Sequence, residues 1–221
     1  PSDYATSNGE SIEANLARIG GHWPSLSSAQ RAETAVAAFL ELHVEQGAVL
    51  EQRGHSIGVV EGVVGQRRFS IRVRGQANHA GTTPMDLRQD ALVAASRIVL
   101  AIESMAVEHP GDPVATVGRL EVWPNAANVV PGSVTLTVDL RDLNPSVLDQ
   151  LVTQLMQSLE TIGEQTGCAI CLDPQFEVAP TPAHADVMAM IEQYMAPLAT
   201  AQRNLAQRMY YGYIVPNLPA Q

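Results

Sequence analysis

"RRFSIRVRG", residues 67–75, alternates without a break: Phe69, Ile71 and Val73 fall on one side, Arg68, Ser70, Arg72 and Arg74 on the other. Successive side chains of a strand point to opposite faces, so this period of two describes a half-buried strand of an antiparallel sheet. Downstream, "VATVGRLEVWP" (114–124) and "SVTLTVDLRD" (133–142) read as two further strands joined by "NAANVVPG". Two amphipathic helices complete the pattern. The first, "MDLRQDALVAASRIVLAIESMA", starts just after Pro84. The second runs from Asn144 as N-cap, through Pro145 in the first turn, to a glycine stop at Gly167. "CAICLDPQFEV" (168–178) closes the unit. The order is β-α-β-β-α-β over residues 66–179, a split-βαβ or ferredoxin-like arrangement in an α/β chain.

That unit sits between two pieces of something else. Before it come a capped helix in "SNGESIEANLARIGG" (7–21) and a Val-rich buried strand, Ile57 to Val64. After it, "APTPAH" reads as a linker and "ADVMAMIEQYMAPLA" (185–199) as a helix. The expected division is 1–65, 66–179 and 180–221, with both chain ends departing from the pattern elsewhere.

With 46% hydrophobic and 16% charged residues the chain has the composition of a globular protein. A formal net charge of −10 disfavours nucleic acid and anionic membrane, which need clustered cations. All 13 basic residues are arginine, which rules out lysine-based covalent catalysis. Cys168 and Cys171 form a lone CxxC on a strand pattern, where positions three apart face opposite ways, so a zinc site is not expected there. Few cysteines and no signal-peptide pattern point to the cytoplasm, and no apolar stretch is long enough to span a bilayer.

Four polar clusters do not fit simple packing. In "FLELHVEQG" (39–47), read as a strand, Glu41, His43 and Glu45 share one face, with Gln46 at its end. In "GQANHAGTTPM" (75–85), His79 sits on a tight loop, where it could donate to a developing oxyanion or simply cap backbone groups. In "WPNAANVVPG" (123–132), turn chemistry accounts for one of Asn125 and Asn128. Arg141 in "VDLRD" suits a bidentate grip on a carboxylate, and a salt bridge to Asp139 or Asp142 is the simpler alternative.

Together "LELHVEQGAVLE", "IGVVEGVVG", "GQANHAGTTPMDLRQDAL" and "VGRLEVWPNAANVVPGSVTLTVDLRD" resemble the hydantoinase/carbamoylase-type amidases of the zinc aminopeptidase-like superfamily. These include N-carbamoyl-L-amino-acid hydrolases and allantoate amidohydrolases. The resemblance implies a catalytic α/β domain with two divalent ions, zinc or manganese, interrupted by a ferredoxin-like lid through which the protein homodimerises. It casts His43 as a metal ligand and His79 as a lid histidine that stabilises the tetrahedral intermediate in the partner's site. Asn128 and Arg141 become residues that hold a small anionic carbamoyl or ureido substrate, and Gln46 a further candidate there.

The family's upstream His-x-Asp and Glu-Glu motifs are not in these 221 residues, and His184, the last histidine, lies in no Gly-His-Asp context. One histidine cannot hold a two-metal centre. The expectation is therefore a chain inactive by itself and without a tight metal site. It is either part of a metal-dependent amidohydrolase or a non-catalytic dimerisation module.

Overall fold

The structure, a computed structural model, describes residues 9–55, 57–195 and 201–203. It divides into two compact units that meet in sequence between Leu40 and Glu41. The first holds helix α1 (Ile12–Arg18), capped by the Ser11 hydroxyl on the Ala14 N–H, and a 3-10 turn over Trp23–Ala29.

The second unit opens with a five-residue helix, α2 (Val49–Arg53), stopped by Gly54 in the left-handed region. Two short strands follow, β1 (Ile57–Val59) and β2 (Gly62–Val63), where one strand from Ile57 to Val64 was expected. The run divides because Ile57–Val59 pair with Ala201–Arg203 while Gly62–Val63 pair with Thr181–Pro182. Then come β3 (Gly65–Arg74), β4 (Asn78–His79), α3 (Ala91–Val107), β5 (Val114–Trp123), β6 (Val129–Val130) and β7 (Ser133–Asp142). The chain continues through α4 (Pro145–Thr166), β8 (Ala169–Val178), β9 (Thr181–Pro182), α5 (Ala185–Met195) and β10 (Ala201–Arg203). The tail from Ala199, expected to leave the pattern, lies outside the described residues apart from β10.

β3, β5, β7 and β8 form one antiparallel sheet in the order β5-β7-β3-β8, covered on one face by α3 and α4. The alternation of "RRFSIRVRG" is what builds it. Phe69, Ile71 and Val73 pack with Val134, Leu136, Val138 and Leu140 against Ile98, Ile102, Leu151 and Leu155. Burying each such side chain contributes about 1.5–3 kcal/mol. α4 has the expected ends: the Asn144 side chain accepts from the Ser146 N–H, and Gly167 closes it at φ +66°. Cys168, just before β8, is buried and Cys171, on β8, is exposed; both are free.

Two expectations are corrected. The first long helix does not begin after Pro84. Met85–Leu87 make a 3-10 turn, the Gln76 N–H bonds the Gln89 carbonyl, and the helix starts where Asp90 caps the Leu92 and Val93 N–H groups. A true N-cap outweighed proline's preference for the first turn. Nor is "FLELHVEQG" a strand: residues 38–45 carry no regular structure, and Leu42 is fully exposed. Alternation supports a strand only where a neighbour pairs with it, and among the described residues none does.

Candidate functional site

The sheet holds the polar clusters at its two ends. At the end formed by Arg74, Trp123 and Ser133, the loops around His79 and Asn128 are stitched together. β4 pairs with β6, setting His79 opposite Val129, and the Ala80 N–H donates to the Asn128 carbonyl at 2.9 Å. Two glycines permit this approach. A Cβ on Gly75 would lie 2.0 Å from the Gln89 carbonyl oxygen, and one on Gly132 would lie 3.0 Å from Ala77. Asn125 does the turn's conformational work at φ +57°, a region asparagine tolerates, leaving Asn128 exposed beside the histidine.

The His79 loop is tied from within. Its carbonyl accepts from the Thr83 N–H and hydroxyl, and Arg88 donates to the carbonyls of Ala80 (2.7 Å) and Thr83 (3.0 Å). The Gly81 N–H donates to His79 Nδ1 at 3.1 Å. That bond requires Nδ1 to be unprotonated, so the neutral ring carries its hydrogen on Nε2 as a donor on an exposed side chain.

At the opposite end Arg141 is nearly buried and forms a bidentate pair with Asp139, Nε to Oδ1 at 2.7 Å and Nη2 to Oδ2 at 2.8 Å. Of the two aspartates considered, Asp139 is the partner; Asp142 instead accepts from the Asn144 N–H. Asp139 also accepts from Arg68 (2.9 Å) and Gln66 (2.5 Å). Burial pushes its carboxyl pKa up, but the hydrogen bonds and charge of Arg141 with the bonds from Arg68 and Gln66 prevail, and it lies below the usual aspartate value. Gln66 and Arg68 were not singled out from the sequence. Strand register was the missing signal: Gln66 stands opposite Arg141 and Arg68 opposite Asp139.

Gln46 lines the same open groove as Arg68, Asp139 and Arg141, with Thr116 and Thr137, and has φ +54°, strained for a non-glycine. His43 joins neither cluster. Its Nδ1 lies 2.5 Å from the Val44 carbonyl, and the Glu45 carboxylate turns away to cap α2 through the Val49 and Leu50 N–H groups. Among the described residues no three His, Cys, Asp or Glu side chains are grouped to hold a metal ion. The donors among the described residues do not fit a two-metal centre.

A family model described as a peptidase dimerisation domain matches residues 62–167. Over 159 residues the chain is 42% identical to allantoate amidohydrolase of Escherichia coli, 72% of this chain and 38% of that protein. Over 199 residues it is 35% identical to N-carbamoyl-L-amino-acid amidohydrolase of Paenarthrobacter aurescens, 90% of this chain and 48% of that one. A solved hydantoinase/carbamoylase family amidase from Burkholderia multivorans superposes with a TM-score of 0.78 at 32% identity, covering 90% of this chain and 47% of that one. Over most of its length the chain is similar to amidases of the hydantoinase/carbamoylase family. It spans less than half the length of these relatives. Within the matched dimerisation domain lie His79, Asn128 and Arg141. No helix among the described residues is long and apolar enough to cross a membrane.

Proposed function

We propose that this chain supplies the substrate-gripping and dimer-forming part of an amidohydrolase that cleaves small anionic carbamoyl or ureido compounds of the N-carbamoyl-amino-acid or allantoate type. In this reading residues 66–179 form the lid inserted between two catalytic-domain segments, 1–65 and 180–221. Arg141 faces the substrate carboxylate, with Gln46 beside it. Asn128 and the Nε2–H of His79 face the carbamoyl oxygen where negative charge develops. His43 is a metal ligand by descent, in a chain whose described residues do not complete a centre.

One observation carries the reading. His79 and Asn128 stand at one end of the sheet and Arg141 at the other, eight residues along β7 from Ser133, roughly 27 Å at the usual rise per residue. No small substrate bridges that span within one chain. The two clusters can meet at one ligand only if they come from different copies, as in a homodimer. The names of the relatives support the substrate class, and the dimerisation domain supports the assembly.

Titration with N-carbamoyl-L-alanine, followed by amide chemical shifts, tests this. Perturbations centred on Gln66, Asp139 and Arg141 and on the His79–Asn128 loops are expected, without hydrolysis by the chain alone. Shifts confined elsewhere overturn the grip. Stoichiometric metal with turnover by the isolated chain overturns the expectation of inactivity.

A further inference from the structure

Arg88 is half-buried and ties the His79 loop at two points, and both of its partners there are carbonyls rather than carboxylates. Its Nη2 donates to the Ala80 carbonyl at 2.7 Å, and that carbonyl belongs to the same peptide group as the Gly81 N–H. In a trans peptide the C=O and N–H point in opposite directions. The far side of the group that Arg88 grips is therefore the N–H that donates to His79 Nδ1 at 3.1 Å. A charge-assisted bond to the oxygen makes that N–H a stronger donor, because bonds in a chain polarise one another. The guanidinium thus reaches the imidazole through a single peptide group.

The other contacts of the loop converge on the same place. Ala80 donates its own N–H to the Asn128 carbonyl, so the residue that Arg88 holds also fixes the neighbouring loop. The second bond of Arg88, Nε to the Thr83 carbonyl at 3.0 Å, restrains the residue whose N–H and hydroxyl both donate to the His79 carbonyl. Gly81 leaves the ring its space: a Cβ there would lie 3.1 Å from His79 Cε1 and 3.5 Å from Nδ1.

We propose that Arg88 is a positioning residue for His79, holding the Ala80–Gly81 peptide group so that its N–H occupies Nδ1 and the ring keeps its hydrogen on Nε2. The proposal rests on the reading of His79 as an oxyanion donor and adds what sets its tautomer. A ring that exchanges tautomers presents a bare Nε2 part of the time, and a bare nitrogen cannot donate to the charge developing on a carbonyl oxygen.

The test uses the full chain with nitrogen-15-labelled histidine at about pH 8.5, about two units above the ordinary imidazole value, so that neutral tautomers are compared. His79→Gln identifies the His79 signals among those of six histidines. A single tautomer gives two widely separated ring nitrogen shifts, and exchange between tautomers draws them together. Arg88→Gln should raise the share of the Nδ1–H tautomer about fivefold, the equivalent of one ordinary hydrogen bond. Arg88→Lys, which keeps a cation for the Ala80 carbonyl, should restore most of the separation. Gly81→Ala should move the ring nitrogens in the same direction while the Thr83 amide keeps its exchange rate. An Arg88→Gln chain whose Thr83 amide exchanges faster while the tautomer stays unchanged overturns the proposal, because the arginine then only braces the loop. Unmoved ring nitrogens in Gly81→Ala overturn it as well, whether or not the Arg88 variants fold. If the tautomer responds as expected but N-carbamoyl-L-alanine leaves the His79 signals of the unaltered chain in place, the oxyanion-donor reading falls and the relay to the ring stands.

Discussion

Asp139 is the residue on which the Arg141 end turns. It holds two arginines and a glutamine on one carboxylate that is 18% exposed, against a nearly buried Arg141. Asp139→Asn keeps the shape but removes the carboxylate charge from a bidentate pair with a nearly buried guanidinium, so a loss of about 2–3 kcal/mol in urea unfolding at neutral pH is expected. The acid response follows from the direction of the pKa. The folded carboxyl titrates below the unfolded one, so its contribution is complete above the ordinary aspartate value, about 3.9. It drains away as pH falls through the folded value, and the asparagine variant should lack that part of the acid slope. At the other end Arg88 is the comparable residue. Arg88→Ala removes two charge-assisted bonds to the His79 loop, and exchange of the Thr83 amide should quicken about tenfold while the α4 amides keep their rates. Equal protection of Thr83 in both proteins would show that the loop holds without the arginine.

At the scale of elements, the join between β3 and α3 shows what the sequence could and could not say. "RRFSIRVRG" and "SVTLTVDLRD" were legible as strands because each carries its own period and each is buried on one face only. α4 was legible because cap, proline and stop glycine all agree. The start of α3 was not: Pro84 and Asp90 both offered beginnings, and the bond from Gln76 to Gln89, which is tertiary, decided between them. His43 was misplaced on a strand for the same kind of reason, since alternation does not reveal whether a neighbouring strand exists. Gln66 and Arg68 were hidden because partnership across strands depends on register. The backbone contact at this join yields its own prediction. A Cβ on Gly75 meets the Gln89 carbonyl at 2.0 Å, backbone against side chain with nothing flexible to yield. Gly75→Ala should cost about 1–3 kcal/mol, the range for overpacking, and should broaden the amide signals of the His79–Asn128 loops more than those of α4. A variant of unchanged midpoint in chemical denaturation would mean that the approach is looser than the structure has it.

For the whole molecule, separation of the two polar clusters matters more than either cluster. If the two clusters meet at one ligand across a two-fold homodimer, that dimer contains two composite sites, each taking Arg141 from one copy and His79 with Asn128 from the other. Arg141→Ala and His79→Ala chains should therefore each bind N-carbamoyl-L-alanine poorly as homodimers, because every site lacks one cluster. Unfolded together and refolded as an equal mixture, half of the dimers become mixed, and each mixed dimer holds one site with both defects and one with neither. Binding capacity should return to about one quarter of the unaltered protein's by equilibrium dialysis, as two-fold symmetry dictates. If both clusters served the same ligand from within one chain, mixing would restore nothing.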